Sequence, residues 1–226
     1  MNVLMLPGWG MKGDVFSPLI EALQLKDVTI VEWESMRDVN HFLTKAEEAL
    51  TVPSLVIGWS LGSLVALQLA THPYVTHLVC ISGTSRFTTT EHYGAGWHAR
   101  IVERMKAQLV RQPNKTIQSF IDMLWGKEDA EPFPYMHHHI PDLLLGLDYL
   151  LTADVRDQLQ RIRVPLLLIH GECDRICPPQ AAQYIDERTN HCTFMLMPNV
   201  GHAPHITQPH ACAHMIQTWL GGGVND

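Results

Sequence analysis

Three residues far apart in the chain have the types and the order that acyl transfer needs: Ser60, Asp174 and His202. A serine hydroxyl is a poor nucleophile at its ordinary pKa, so it requires a base to take its proton and an acid to orient that base. Ser60 is the centre of Gly58-Trp59-Ser60-Leu61-Gly62, which lies between an apolar run at 55–57 and a helix-compatible run at 61–71. A nucleophile on such a strand-to-helix turn needs small neighbours because the turn is tight, and the adjoining helix N-terminus favours negative charge. Downstream, the run at 166–170 leads into Gly171-Glu172-Cys173-Asp174, and the run at 192–197 leads into Gly201-His202-Ala203. Asp174 and His202 therefore fall at strand ends, where sites on parallel sheets form, and in the order Ser, acid, His. Glu172 is the competing acid, with the Gly-x-x-Asp form of the turn favouring Asp174. An oxyanion hole needs one amide just after the nucleophile and one from the loop after an early strand. Leu61 supplies the first and Trp9, in Gly8-Trp9-Gly10, the second.

The elements that must position these groups alternate. Residues 2–6, 28–33, 55–57, 77–82, 166–170 and 192–197 read as strands, several of them continuous apolar runs of the kind buried on both faces of a parallel sheet. Between them, Ser17-Pro18 opens a helix with Ser17 as its cap, residues 38–50, 61–71 and 178–187 have helical spacing, and a last helix runs to about residue 220. The alternation breaks from residue 86 to 152, where helix-compatible stretches are separated by Pro113, Gly126, Pro132 to Pro134, and Pro141. The expectation is a doubly wound α/β core made of residues 1–85 and 153–226, with a helical cap, residues 86–152, inserted over its ligand-binding edge. Gly221-Gly222-Gly223 reads as a frayed tail.

Composition narrows the class. The 226 residues are 46% hydrophobic and 17% charged, a globular composition, and 16 Lys+Arg against 23 Asp+Glu give a net charge of −7, which argues against a nucleic-acid partner. No apolar run suffices for a membrane span or a secretory signal, so a cytoplasmic, monomeric protein is expected. Five cysteines, an odd number, read as reduced thiols. Two motifs compete with the serine chemistry. Gly8-Trp9-Gly10-Met11-Lys12-Gly13 with Glu32 imitates a dinucleotide fingerprint, but that motif needs its helix to begin within the glycines, which would put Pro18 in the helix interior. Fourteen histidines raise a metal reading. His137-His138-His139 are consecutive and cannot all face one ion, and His210 and His214 lack the intervening Glu of a zinc-protease helix. Cys173 and Cys177 serve equally well as small loop and core residues. No metal and no organic cofactor is expected.

Gly8-Trp9-Gly10, Gly58 to Gly62, Thr71-His72-Pro73, Gly171 to Asp174 and His202-Ala203-Pro204 together resemble the α/β-hydrolase superfamily. More narrowly, Gly-Trp-Gly with Gly-Trp-Ser-Leu-Gly, and the stretches 146–165 and 203–215, resemble the pimeloyl-acyl-carrier-protein methyl ester esterases of biotin synthesis. The resemblance implies Ser60, Asp174 and His202 as the triad and the Trp9 and Leu61 amides as the oxyanion hole. There are departures: Pro7 stands where that family usually carries His, and the chain starts directly at its first strand, implying a sheet shortened at its N-terminal side. Of the cap arginines that resemble carrier contacts in the family, Lys115 matches one, and Ser119 stands where another is expected.

The cap also carries a charge pattern of its own. On a helix from about residue 98 to 112, Ile101, Val102, Met105 and Leu109 share a face, and Arg100, Arg104 and Arg111 fall on the opposite one. On an acidic chain, such a stripe could steer an acidic carrier protein or be an ordinary solvated face. The expected activity is a serine esterase acting on a small acyl ester or a carrier-linked one. The same fold also serves thioesterases and carbon–carbon bond hydrolases or lyases. A non-enzymatic binding role fits less well with all three triad types present.

Overall fold

The computed structural model describes residues 1–125 and 136–222, with the side chain of Trp125 left aside. Six parallel strands form one sheet: β1 (Asn2–Leu6), β2 (Val28–Ile30), β3 (Ser54–Trp59), β4 (Val75–Ile81), β5 (Leu166–Gly171) and β6 (Cys192–Met197), in the spatial order β2-β1-β3-β4-β5-β6. The central strands are the continuous apolar runs of the sequence, and Leu55, Val56 and Ile57 are buried on both faces. The strand expected at 28–33 is only three residues long because it is an edge, with a half-buried pattern and one neighbour.

From β1 the chain steps outward to β2, returns to the other side of β1 as β3, and then proceeds in one direction to β6. Right-handed crossovers therefore place α1 (Ser17–Leu23) and α2 (His41–Ala49) on opposite faces. The reversal opens a crevice at the C-terminal ends of β1 and β3, where Leu6 is in register with Gly58. α1 packs against α9 (Pro209–Gly222), while α3 (Leu61–Leu69) lies against β1, β3 and β4. α7 (Pro179–Asp186) and the short α8 (Pro204–Thr207) complete the cover of β5 and β6.

Local details depart from expectation at helix ends. α1 is preceded by a 3-10 turn, Gly13–Phe16, so Ser17 is its first helical residue rather than its cap, and Pro18 still falls in the first turn. Only the 3-10 turn starts at the last of the glycines, Gly13, and the α-helix begins four residues later, so no α-helix N-terminus lies within residues 8–13 as a dinucleotide motif requires. Gly221 and Gly222 continue α9 instead of fraying. Between β4 and β5 the described residues form three α-helices, α4 (Ala99–Arg111), α5 (Pro113–Trp125) and α6 (Ile140–Thr152), then a 3-10 turn at Arg156–Arg161, and their only β-structure is isolated bridges. Gly126, Pro132 to Pro134 and Gly223, expected as breaks and tail, lie outside the described residues.

Candidate active site

Ser60 sits between β3 and α3 with φ 55° and ψ −117°, a left-handed region that costs a non-glycine residue about 1–3 kcal/mol. The surroundings over-determine it. Its amide donates to the Ile81 carbonyl at 3.0 Å, and its carbonyl accepts from the Ser63 and Leu64 amides at 2.9 and 3.3 Å. Ser63 Oγ ties the turn to the Gly58 carbonyl at 2.7 Å. The flanking glycines are there for close approach: a Cβ on Gly62 would collide with the Leu6 carbonyl, and one on Gly58 with the Gly62 carbonyl. Thus α3 can begin directly against β1, which is what lifts the hydroxyl into the crevice.

His202 and Asp174 converge on that hydroxyl. His202 Nε2 is 2.9 Å from Ser60 Oγ, and its Nδ1 is 2.7 Å from Asp174 Oδ2. Because a carboxylate only accepts, Nδ1 carries the imidazole proton and Nε2 is left to accept the serine proton. Asp174 Oδ1 accepts the amides of Ile176 and Cys177, both at 2.9 Å. His170 Nε2 lies 2.7 Å from the Cys177 carbonyl and 3.2 Å from Asp174 Oδ2, so it too must carry a proton and shares it between two acceptors. Burial alone would raise the Asp174 carboxyl, but the charge on His202 and the hydrogen bonds from His170 and His202 outweigh it and hold the group well below the usual carboxylate range. The competing acid, Glu172, is exposed and accepts the Asn199 amide at 3.2 Å instead.

The loop after β1 runs beside the nucleophile: a Cβ on Gly8 would lie 3.4 Å from that of Ser60. Among the described residues no acceptor takes the Trp9 or Leu61 amide, so both are free to bind a developing oxyanion. The Trp9 ring points away from the sheet. Its Nε1 donates to the Leu143 carbonyl at 2.8 Å, its ring meets Phe120 edge-on at 4.8 Å, and Gly146 leaves room for it. It walls a narrow pocket whose floor is Ser60 and whose sides come from Trp97, Val102, Phe120, Leu147 and Ile176. Among the described residues of this lining Ser60 alone carries a polar head, so the pocket suits an acyl chain.

Three contributors escaped the sequence reading. Trp59 Nε1 donates to the His202 carbonyl at 2.8 Å, Trp97 Nε1 donates to the Ile176 carbonyl at 2.7 Å, and His170 steadies the acid. Only His170 left a usable signal, since it ends the acid's own strand four residues before Asp174. On α4, Val102 and Leu109 are buried as expected, but Ile101 is 48% exposed and rims the pocket. Arg100, Arg104, Arg111 and Lys115 are exposed and make no ion pair among the described residues. His210, His214 and Cys173 are exposed and Cys177 is buried, and none belongs to a cluster of potential metal ligands among the described residues.

The family described as Serine aminopeptidase, S33 matches residues 3–208. A pimeloyl-[acyl-carrier protein] methyl ester esterase of Vibrio vulnificus is 25% identical, over 97% of this chain and 94% of that protein. One from Neisseria meningitidis serogroup B is 29% identical, over 99% and 94%. Among solved structures, an esterase from Exiguobacterium antarcticum superposes with a TM-score of 0.86 at 19% identity, covering 98% of this chain and 92% of its own. The enol-lactonase of Burkholderia xenovorans gives 0.82 at 14%, covering 97% and 91%. With the doubly wound parallel sheet and this family match, the chain belongs to the serine aminopeptidase S33 family and is a hydrolase of the α/β-hydrolase fold.

Proposed function

We propose that this enzyme, a carboxylic ester hydrolase, removes the methyl group from an acyl ester carried by an acidic acyl carrier protein, through an acyl-enzyme on Ser60. His202 Nε2 takes the Ser60 proton as Oγ attacks the ester carbonyl, and the Trp9 and Leu61 amides stabilise the oxyanion. Methanol departs with the proton from His202. Water, deprotonated by the same nitrogen, then releases the acid from Ser60. Asp174 holds the imidazole in the required tautomer throughout. The location proposed is the cytoplasm; among the described residues no helix is long and apolar enough to cross a membrane.

The observation that carries the substrate assignment is on α4. One helix supplies Ile101, Val102 and Met105 to the apolar pocket and carries the exposed Arg100, Arg104 and Arg111 on its opposite face. A carrier held by the arginines could thread its acyl chain past Ile101 to Ser60. Relatives named for a pimeloyl-carrier methyl ester support this reading. The test compares catalytic efficiency on a carrier-linked methyl ester and on the free methyl ester. Reversing the three arginines to Glu should lower the first by tenfold or more and leave the second within twofold, with added salt mimicking the reversal. Ser60→Ala should abolish both and block fluorophosphonate labelling. An unchanged ratio would make this a general carboxylesterase, and labelling elsewhere would remove the mechanism.

A further inference from the structure

Two motifs that have no part in the serine chemistry meet in space. Glu32, the acidic residue of the false dinucleotide fingerprint, accepts the Gly13 amide on Oε1 at 2.8 Å. Its Oε2 is buried without a hydrogen-bond partner among the described residues. That oxygen faces Nε2 of His137 at 3.5 Å, a nitrogen equally buried and unpartnered, on a residue that is 7% exposed. Glu34 Oε1 lies 3.2 Å from the other ring nitrogen. One donor atom from each of Glu32, Glu34 and His137 lies within 4.8 Å of the other two. The neighbours diverge: His138 is exposed, and His139 Nδ1 is 2.7 Å from Asp142.

A buried carboxylate oxygen and an imidazole nitrogen at 3.5 Å are too far apart for a hydrogen bond, and leaving both unsatisfied is costly. Two ligands bound at about 2.0–2.2 Å to one tetrahedral ion stand roughly 3.3–3.5 Å apart, which is this separation. We propose that His137 Nε2, Glu32 Oε2 and a carboxylate oxygen of Glu34 bind one divalent transition-type cation, with Zn²⁺ the best match to an imidazole and two carboxylates. Glu34 has a side chain 57% exposed, so it is free to swing to the Nε2 side and close the third position, and water takes the fourth.

The surroundings of these ligands suggest what the ion would do. The Gly13 amide orients Glu32, the His137 amide donates to the Gly10 carbonyl at 2.7 Å, and Met11 and Met136 form a bridge. The ion would fasten three segments: the loop after β1 that carries Trp9, the segment after β2, and the segment entering α6. It takes no part in the proposed acyl transfer. Its role is to stabilise the loop from which the oxyanion donor comes.

The test uses the full chain, stripped with EDTA and then titrated with ZnCl₂ by calorimetry and thermal melting. The expected result is one zinc per chain and a Tm raised by several degrees at zinc about a hundredfold above Kd. His137→Gln should abolish both effects. Glu34→Gln, at an exposed position that cannot threaten folding, should weaken zinc at least tenfold. The triple control His138→Gln, His210→Gln, His214→Gln should leave both intact. Absence of saturable binding, or binding unchanged in His137→Gln and Glu34→Gln, would overturn the site.

Discussion

The indole Nε1 of Trp59 donates to the backbone carbonyl of His202 at 2.8 Å, so the residue next to the nucleophile grips the backbone of the base. The Trp59 ring also lies 5.7 Å from the His202 ring and 4.6 Å from that of His205. Burial pushes the His205 imidazole down to about 3, with the charge on His202 adding to it, so this ring stays neutral at working pH and serves as a flat spacer behind Trp59. Trp59→Phe keeps the ring packing and deletes the hydrogen bond. It should lower kcat about tenfold, the equivalent of one such bond, while KM stays within twofold. A general loosening of the pocket would instead raise KM, so the split between the two parameters separates positioning from mere structure.

Asp174 serves two imidazoles and two amides, whereas Glu172 serves one loop amide at the surface. Asp174→Asn should cut turnover by about 10³–10⁴-fold, because an amide there can present a donor to Nδ1 and select the wrong tautomer. Glu172→Gln should cost less than threefold. Steady-state rates on a short p-nitrophenyl ester distinguish the two, and reversed losses would transfer the orienting role to Glu172.

Much of this was legible in the sequence because strand ends carry the chemistry. Short apolar runs that stop at Pro7-Gly8, Gly58, Gly171 and Pro198 mark the edge of the sheet, and a parallel sheet brings those ends together without knowledge of the packing. What could not be read depends on side-chain direction. Ile101 and Val102, about 100° apart on the helix, are both apolar and both line the pocket, yet Ile101 is exposed at the rim and Val102 buried in the wall, since the choice is made by α5 and α6 rather than by periodicity. Trp59 and Trp97 look like core aromatics, and only the direction of each Nε1 shows that they hold the base and the acid loop. Glu32 and His137 are 105 residues apart, and no spacing rule connects a strand end to a segment beyond two further strands and four helices of the described residues.

Where the helical segment leaves β4 and where it returns towards β5, Arg86 and Asp154 close on each other. Arg86 Nη1 donates to Asp154 Oδ2 at 2.7 Å, Arg156 donates to both carboxylate oxygens at 2.8 Å, and the Val155 amide donates to the Ser85 carbonyl at 2.9 Å. Hydrogen bonding from Arg156 first, opposed by burial and aided by Arg86, holds the Asp154 carboxyl down at about 2. A depressed acid contributes stability that is fully present above its unfolded pKa, near 4, and is lost as pH falls from there towards 2. With a side chain 28% exposed, the screened contribution is about 1–2 kcal/mol. Asp154→Asn should therefore lower Tm by roughly 2–6 °C at pH 7, and the gap from the parent protein should narrow progressively between pH 4 and pH 3. The same substitution should raise KM, because Arg86 Nε donates to the Thr88 carbonyl at 2.9 Å and Thr88 bridges to Trp97 in the pocket wall. Melting curves from pH 3 to 7, run beside KM measurements, decide it. A gap constant with pH would mean that the charge of Asp154 does not hold the junction, and an unchanged KM would uncouple the junction from the pocket.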